Sequence, residues 1–376
     1  MFWILNILTS QSFASFSSPP PIQNAYLKYV GLIIKHGHIS PLTRYTDKSL
    51  NGVWTCDSDD SESPRMHSSL DNGFRRRYQR VMIPRFMRYP PNCENGDLTT
   101  KGMKKISELG ELYREYLIQN RTLLPQSLDI EKFTVRTNHY DRAKRTAASF
   151  MNKFYPPETP DVEQILFHSG SSSHDVLNSG TSTCSEASES YKQFTESDEF
   201  KKRKQESLEI LRSMKNQTSI SSDSLVAKFG DWVMSFLDNG GVLPITASEG
   251  EIKRTQDDTA YNLFSFANYS NYVSASPILR LMFKDIDDAF AKDKKFTLYV
   301  VDSQQIATMA GLVGNPEIKN IDFGSQLMME IWRTQDLDDI VRFVYNGKVL
   351  TLRGFDKETV PKDFQRANAV NSLASF

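Results

Sequence analysis

The chain of 376 residues carries 45 Lys and Arg against 46 Asp and Glu, a formal net charge of −1. That balance excludes a large sequence-independent grip on nucleic acid, which needs surplus basic side chains to displace counterions. Hydrophobic residues at 39% and aromatics at 11% are enough for a sizeable core and exclude disorder of the whole chain.

In chain order, residues 2–8 (FWILNIL) form a short apolar run before Ser12-Phe13-Ala14-Ser15. This is the outline of a secretory signal peptide without its usual basic start, and 1–15 is read as a possible one, a frayed apolar terminus being the alternative. No window reaches the ~18 apolar residues of a membrane-spanning helix, so no transmembrane segment is expected. Tyr29 to Ile34 is a near-continuous apolar run, the pattern of a buried parallel strand covered on both faces, and it ends at Lys35-His36-Gly37. Residues 41–95, rich in Ser, Asp, Arg and Pro, read as a loop insertion. Its basic cluster, Arg75-Arg76-Arg77 with Arg80, is taken as a solvated loop. A helix follows to about Leu117, with Thr99 as N-cap and Ile106, Leu109 and Leu112 on one side. Phe133-Thr134-Val135 is a second strand that delivers Arg136 at its end, and another helix runs from Tyr140 to Phe154. Strand, loop, helix, strand, helix is the order of an α/β domain.

The stretch 169–190 is nine-tenths polar or small and dominated by Ser, a loop or boundary, and its His174-Asp175 pair is taken as loop. Helical patterns then run to about 290. Leu225, Phe229, Trp232 and Phe236 share one face, with Asp223 as candidate cap and Asn239-Gly240 as stop, and Ser276-Pro277 opens a helix carrying Leu279, Met282, Ile286 and Phe290. Strands return with Phe296–Val301, a helix at about 304–313, then Leu327–Trp332 and a hairpin turning at Asn346-Gly347. The expected organisation is an α/β core of 26–168 and 291–376, its sheet flanked by helices, with an all-helical cap of 169–290 inserted.

Cys56, Cys93 and Cys184 are too few for a disulfide scaffold and lack zinc spacing; Cys56 and Cys93 bracket the insertion, and the spacing leaves open whether they are bridged. Three N-x-S/T sequons, at Asn120, Asn216 and Asn268, are compatible with a secreted glycoprotein, though chance supplies similar numbers.

Ligands of such sheets bind at the carboxyl ends of the strands. There, Lys35-His36-Gly37-His38-Ile39-Ser40-Pro41 resembles the R-H-G-x-R-x-P motif of the histidine acid phosphatases. Gly96-Asp97-Leu98-Thr99-Thr100-Lys101-Gly102 resembles their G-x-L-T-x-x-G segment, and Leu109-Gly110 falls where a Leu-Gly is expected. Val135-Arg136-Thr137-Asn138-His139-Tyr140-Asp141-Arg142 resembles V-R-S-T-x-x-x-R, and Tyr299 to Ile306 occupies the place of a strand followed by H-D-T-T-L. The four landmarks come in order across most of 26–355. The resemblance implies a histidine-phosphatase-like α/β core with a helical cap, and hydrolysis of phosphomonoesters through a phosphohistidine. A neutral His attacks phosphorus, three Arg and a second His hold the phosphoryl oxygens, and a carboxylic acid protonates the leaving group, with no metal or other cofactor.

Carried over by position, His36 matches the nucleophile and Arg136 a phosphate-binding Arg. Lys35 replaces the first Arg and loses its planar fork; Ile39 replaces the second. Asp302 stands where the second His belongs and Ser303 where the proton donor belongs. A carboxylate beside a phosphate dianion is repulsive. The expectation is therefore impaired or lost catalysis, with an anion pocket kept by Lys35, His36 and Arg136 for a phosphorylated small molecule or other anionic ligand. Two rivals remain: an active phosphatase in which Asp302 replaces the lost acid, and a mutase-like relative, against which the helical insert and the G-x-L-T segment argue. Secretion or an endomembrane or lysosomal lumen is the expected location.

Overall fold

The computed structural model describes residues 13–42, 47–56, 93–157, 165–171, 175–178, 181, 184–218, 225–270, 272–313, 321–352 and 357–362. The run read as a buried strand is β1 (Ala25–Lys35), and Thr99 caps α1 (Thr100–Arg114) by accepting from the Gly102 amide. Then come β2 (Phe133–Thr137), α2 (Asp141–Phe154) and the short β3 (Phe167–Ser169). The helical stretch holds α3 (Ser185–Glu196), α4 (Asp198–Ile210), α5 (Arg212–Thr218), α6 (Leu225–Asp238), α7 (Glu249–Tyr269) and α8 (Ser276–Lys292). The chain returns through β4 (Phe296–Val301), α9 (Ser303–Val313), β5 (Gln326–Thr334), β6 (Asp339–Tyr345), β7 (Lys348–Val349) and β8 (Thr359–Pro361). At the hairpin, Asn346 and Gly347 adopt φ of 47° and 83°, the left-handed pair that a tight two-residue turn requires.

The strands form one mixed sheet in the order β3-β2-β4-β1-β5-β6-β7, with β8 beside β6. β3, β2, β4 and β1 are parallel; β5 joins β1 antiparallel and starts the antiparallel edge. Both faces are covered, which is why β1 and β4 read as unbroken apolar runs. Val30, Leu32 and Ile34 pack with Ile106, Leu109 and Phe150 of α1 and α2. Tyr29, Ile33 and Tyr299 pack on the other side with Met282 and Ile286 of α8 and Ile306 of α9. α8, inside the range read as cap, thus lies against the sheet, because its apolar stripe finds the sheet's second face.

A separate apolar cluster forms the centre of the helical region. Phe229, Trp232 and Phe236 meet Leu211, Met214 and Ile252, and also Leu50, Trp54, Cys56 and Cys93 from the two ends of the insertion. Both cysteines are fully buried and bridged, with Cα atoms 5.3 Å apart and a sequence separation of 37. Cys184 is free. The Arg75–Arg77 and Arg80 cluster, His67, the cap candidate Asp223, His174 and residues 1–12 lie outside the described residues. Phe13 and Ala14, within the range read as a possible signal, pack into the fold: the Ala14 amide donates to the Phe323 carbonyl and Phe13 stacks on His38. Among the described residues no helix is long and apolar enough to cross a membrane.

A bridge closing a loop of this length restricts the unfolded chain by about 4 kcal/mol in the entropic treatment. Replacing Cys56 and Cys93 by serine is expected to cost ~2–4 kcal/mol of unfolding free energy. Urea denaturation of the oxidised, reduced and substituted proteins checks this; unchanged midpoints would show that the bridge contributes nothing.

Candidate functional site at the strand ends

The parallel register of β1 and β4 pairs Lys35 with Val301, so His36 and Asp302 leave the sheet side by side. The His36 amide donates to the Val301 carbonyl at 3.3 Å, tying the two exits together. The segment after β1 is pressed against the start of α1: Thr99 donates its amide and its hydroxyl to the His38 carbonyl, at 2.8 and 3.1 Å. A Cβ at Gly102 would run into the His38 backbone, which explains glycine at the end of the G-x-L-T-x-x-G segment.

His36 is 5% exposed, and its Nδ1 lies 2.9 Å from the Gly37 carbonyl. A carbonyl only accepts, so Nδ1 carries the proton and Nε2 presents its lone pair. Burial, followed by the Arg142 charge, drives the imidazole pKa down to about 3, with Lys35 adding to the effect and Asp302 opposing it. The ring is therefore neutral at ordinary pH, and that is the protonation state of a nucleophile.

Asp302 Oδ1 lies 3.4 Å from His36 Nε2. The two are at ion-pair distance, but an ion pair needs a charged imidazole, which burial and Arg142 oppose; the contact is read as a lone pair facing a carboxylate. Asp302 is held from the other side. Arg142, from the first turn of α2, donates Nε and an Nη to Oδ1 at 3.1 and 3.0 Å, and Asn138 donates its amide group to Oδ2 at 3.1 Å. Arg142 also lies over the Tyr140 ring, 4.0 Å from its centroid.

The other positions singled out by sequence divide. Lys35 is buried beside the site, where its ammonium donates to the Ile321 carbonyl at 2.8 Å and lies 4.3 Å above the Phe323 ring centre. Burial pushes its pKa down, while Asp238, Asp322, Asp231 and Asp302 pull it back up. Arg136 does not join His36. The side chains of a strand alternate between faces, and Arg136 shares the face of Tyr299 and Tyr29; its guanidinium grips both oxygens of Asp285 on α8, at 2.7 and 2.5 Å, with Tyr299 donating to the same carboxylate. Arg136, expected in the anion pocket, is thus engaged with Asp285, and of the segment's two arginines it is Arg142, the last residue of the V-R-x-x-x-x-x-R segment, that meets Asp302 beside His36. Ile39 is 1% exposed in an apolar cluster with Leu98, Met103 and Phe323, so the position of the missing arginine is an apolar plug. Ser303 begins α9. Sequence reasoning missed Asn138 and also Asp231 of α6, which accepts the Leu42 amide at 3.0 Å and whose pKa burial raises. Among the described residues no group of three or more His, Cys, Asp or Glu is placed to hold a metal.

A family model described as histidine phosphatase superfamily (branch 2) matches residues 27–346. The chain belongs to that superfamily. Among curated relatives, counting factor 60 of Dictyostelium discoideum is 26% identical over 170 residues, 42% of this chain and 40% of the relative. A probable acid phosphatase of the same organism is 24% identical over 142 residues, 38% of this chain and 25% of the relative, so the matched segment spans less than half of either protein. Among solved structures, a Hafnia alvei phytase in complex with myo-inositol hexakis sulphate superposes with a TM-score of 0.61 at 15% identity, covering 93% of this chain and 98% of that one. A Bifidobacterium longum multiple inositol polyphosphate phosphatase in complex with inositol hexasulfate gives 0.53 at 9% identity, covering 95% and 96%. At such identities the likeness is one of fold: the mixed sheet with helices on both faces is that of the superfamily's phytases.

His36 and His38 fix a pH dependence. Burial lowers the His38 pKa to about 3 as well, against an ordinary value of 6.5. Below pH 6.5 the unfolded chain takes up protons that the native state refuses, so this stability is complete above 6.5 and is lost as pH falls toward 3. The slope is up to about 1.4 kcal/mol per pH unit for each histidine. Unfolding free energies between pH 4 and 7, with NMR of the imidazole carbons, check this; a His36 ring titrating near 6.5 in the native protein would contradict it.

Proposed function

We propose that this superfamily member has impaired or lost phosphomonoester hydrolysis and uses its strand-end pocket, with Lys35, His36 and Arg142, as a weak binding site for a phosphorylated small molecule or other anionic ligand. The observation that carries this reading is the Asp302 carboxylate 3.4 Å from His36 Nε2, gripped by Arg142 and Asn138. A neutral imidazole with its proton on Nδ1 is ready to attack phosphorus, but an oxygen of the protein's own lies 3.4 Å from the nitrogen that would attack. An incoming phosphoryl group has to displace that carboxylate and compete for the same arginine. With Ile39 in place of a cation, little positive charge is left over for the transition state, and each positioned donor lost costs ~3–4 kcal/mol there.

A second reading, an active acid phosphatase, is favoured by the same contact: Asp302 stands beside the nucleophile at the carboxyl edge, and once displaced and protonated it would donate to the leaving oxygen. We further infer a secreted or endomembrane location, supported by the buried Cys56–Cys93 bridge and by the exposure of the sequon asparagines Asn120, Asn216 and Asn268.

The test is hydrolysis of an aryl phosphate from pH 4 to 8 by the wild type, His36→Ala and Asp302→Ala, with inorganic phosphate binding measured alongside. Wild type and His36→Ala are expected to be indistinguishable from background, and Asp302→Ala to bind phosphate about tenfold or more tightly, because Arg142 is released. Turnover by the wild type that His36→Ala abolishes would establish the second reading instead.

A further inference from the structure

A cleft of about 360 Å³ opens away from the His36 site, between residues 52–55, the first turn of α1 and the end of α6 through Val242. None of His36, Asp302, Arg142 or Lys35 lines it. Its lining has two characters. Trp54 and Phe236, both nearly buried, meet edge to face with ring centres 5.0 Å apart. Val53 and Val242 line it too, 80% and 84% exposed. Gly240, at φ +76°, and Gly241 turn the chain at the end of α6 without adding a side chain to that wall.

The polar side of the cleft is small, and most of it is already engaged. The Thr99 hydroxyl lies 2.9 Å from the Asn239 side-chain carbonyl and 3.1 Å from the His38 carbonyl, and the Asn239 amide group donates to the carbonyls of Ile39 and Ser235. Two donors remain. Among the described residues the Lys101 ammonium makes one hydrogen bond, to the Asp238 carbonyl at 2.5 Å, which leaves two of its three N–H groups. The Thr100 hydroxyl is buried and has no hydrogen-bond partner among the described residues.

We propose that this cleft binds a small amphipathic carboxylate, with an aromatic or short alkyl body between Val53, Val242 and the Trp54–Phe236 floor and its carboxylate on Lys101 and Thr100. One ammonium and one hydroxyl match the two oxygens of a single carboxylate. A phosphate dianion would keep uncompensated charge against valine and tryptophan, and an alcohol would make no charge-assisted hydrogen bond to the spare N–H groups of an ammonium whose nearest carboxylate is that of Asp238. The volume is at the small end for ligand pockets, which suits one ring on a short tether. The proposal is independent of whether His36 is catalytic.

The experiment is calorimetric titration of the full chain with phenylbutyrate, and with phenylbutanol, which keeps the ring and tether but not the charge. Saturable binding of phenylbutyrate is expected, weakened about tenfold or more in Lys101→Met and several-fold in Thr100→Val, with phenylbutanol at least about tenfold weaker. His36→Ala is expected to bind as the wild type does. Absence of saturable heat, or wild-type affinity in both cleft variants, overturns the proposal. Loss of binding in His36→Ala overturns it too, by placing the ligand at the strand ends. Thermal unfolding of each variant confirms that it is folded, and the Thr100→Val result stands on its own if Lys101→Met is not.

Discussion

The parallel pairing of β1 with β4 is the constraint from which the site follows. Its register runs from Val30 with Phe296 to Lys35 with Val301, and the next residue on each strand is a site residue. The Lys35 amide is held on the other flank by the Ser325 carbonyl at 2.9 Å, and the His36 amide by Val301. Neither His36 nor Asp302 therefore has backbone slack by which to avoid the other. A change of residue type at position 302 acts on the imidazole at once, with no intervening loop to absorb it. The same rigidity brings Arg142 into play: Asn138, just past the end of β2, accepts the Tyr140 amide at 3.2 Å as the chain turns into α2 and donates to Asp302 from its other end.

Charge at the strand ends is balanced internally. Lys35 and Arg142 supply two cations, and Asp302 and Asp231 lie near enough to offset them, as their opposing effects on Lys35 and His36 indicate. A pocket built for a phosphoryl group keeps its positive charge in excess, so that the ligand completes the neutralisation. Here two carboxylates already stand among the cations before any ligand arrives. The superfamily fold and the neutral, oriented histidine are present, and the electrostatics around them are differently apportioned.

What could be read from the sequence follows from how local each feature is. The strand at 29–34 and the Thr99 cap depend on burial on two faces and on a hydroxyl three residues from an amide, so both are legible in order along the chain, as is the Asn346-Gly347 turn. The choice between Arg136 and Arg142 is not local. Both belong to one segment resembling a phosphatase motif, and which of them reaches His36 depends on which face of β2 position 136 occupies and on where α2 begins. Strand alternation sends Arg136 to Asp285 on α8, a partner 149 positions away that no motif announces. Asp231 was illegible for the same reason, because it arrives from a helix of the inserted region. The placement of α8 against the sheet likewise turns on which of two apolar surfaces its stripe meets, and periodicity alone carries no such information.

The bridge between Cys56 and Cys93 joins the two ends of the insertion within the apolar cluster of the helical region. Backbone continuity between those residues is thereby made redundant: one covalent path runs through the peptide bonds and another through the sulfurs. A single cut anywhere between them yields two polypeptides that still travel as one molecule, with the strand-end histidine on one piece and Asp302 on the other. Under oxidising conditions the site would outlast the chain that encodes it, and only a reductant would tell an intact molecule from a nicked one.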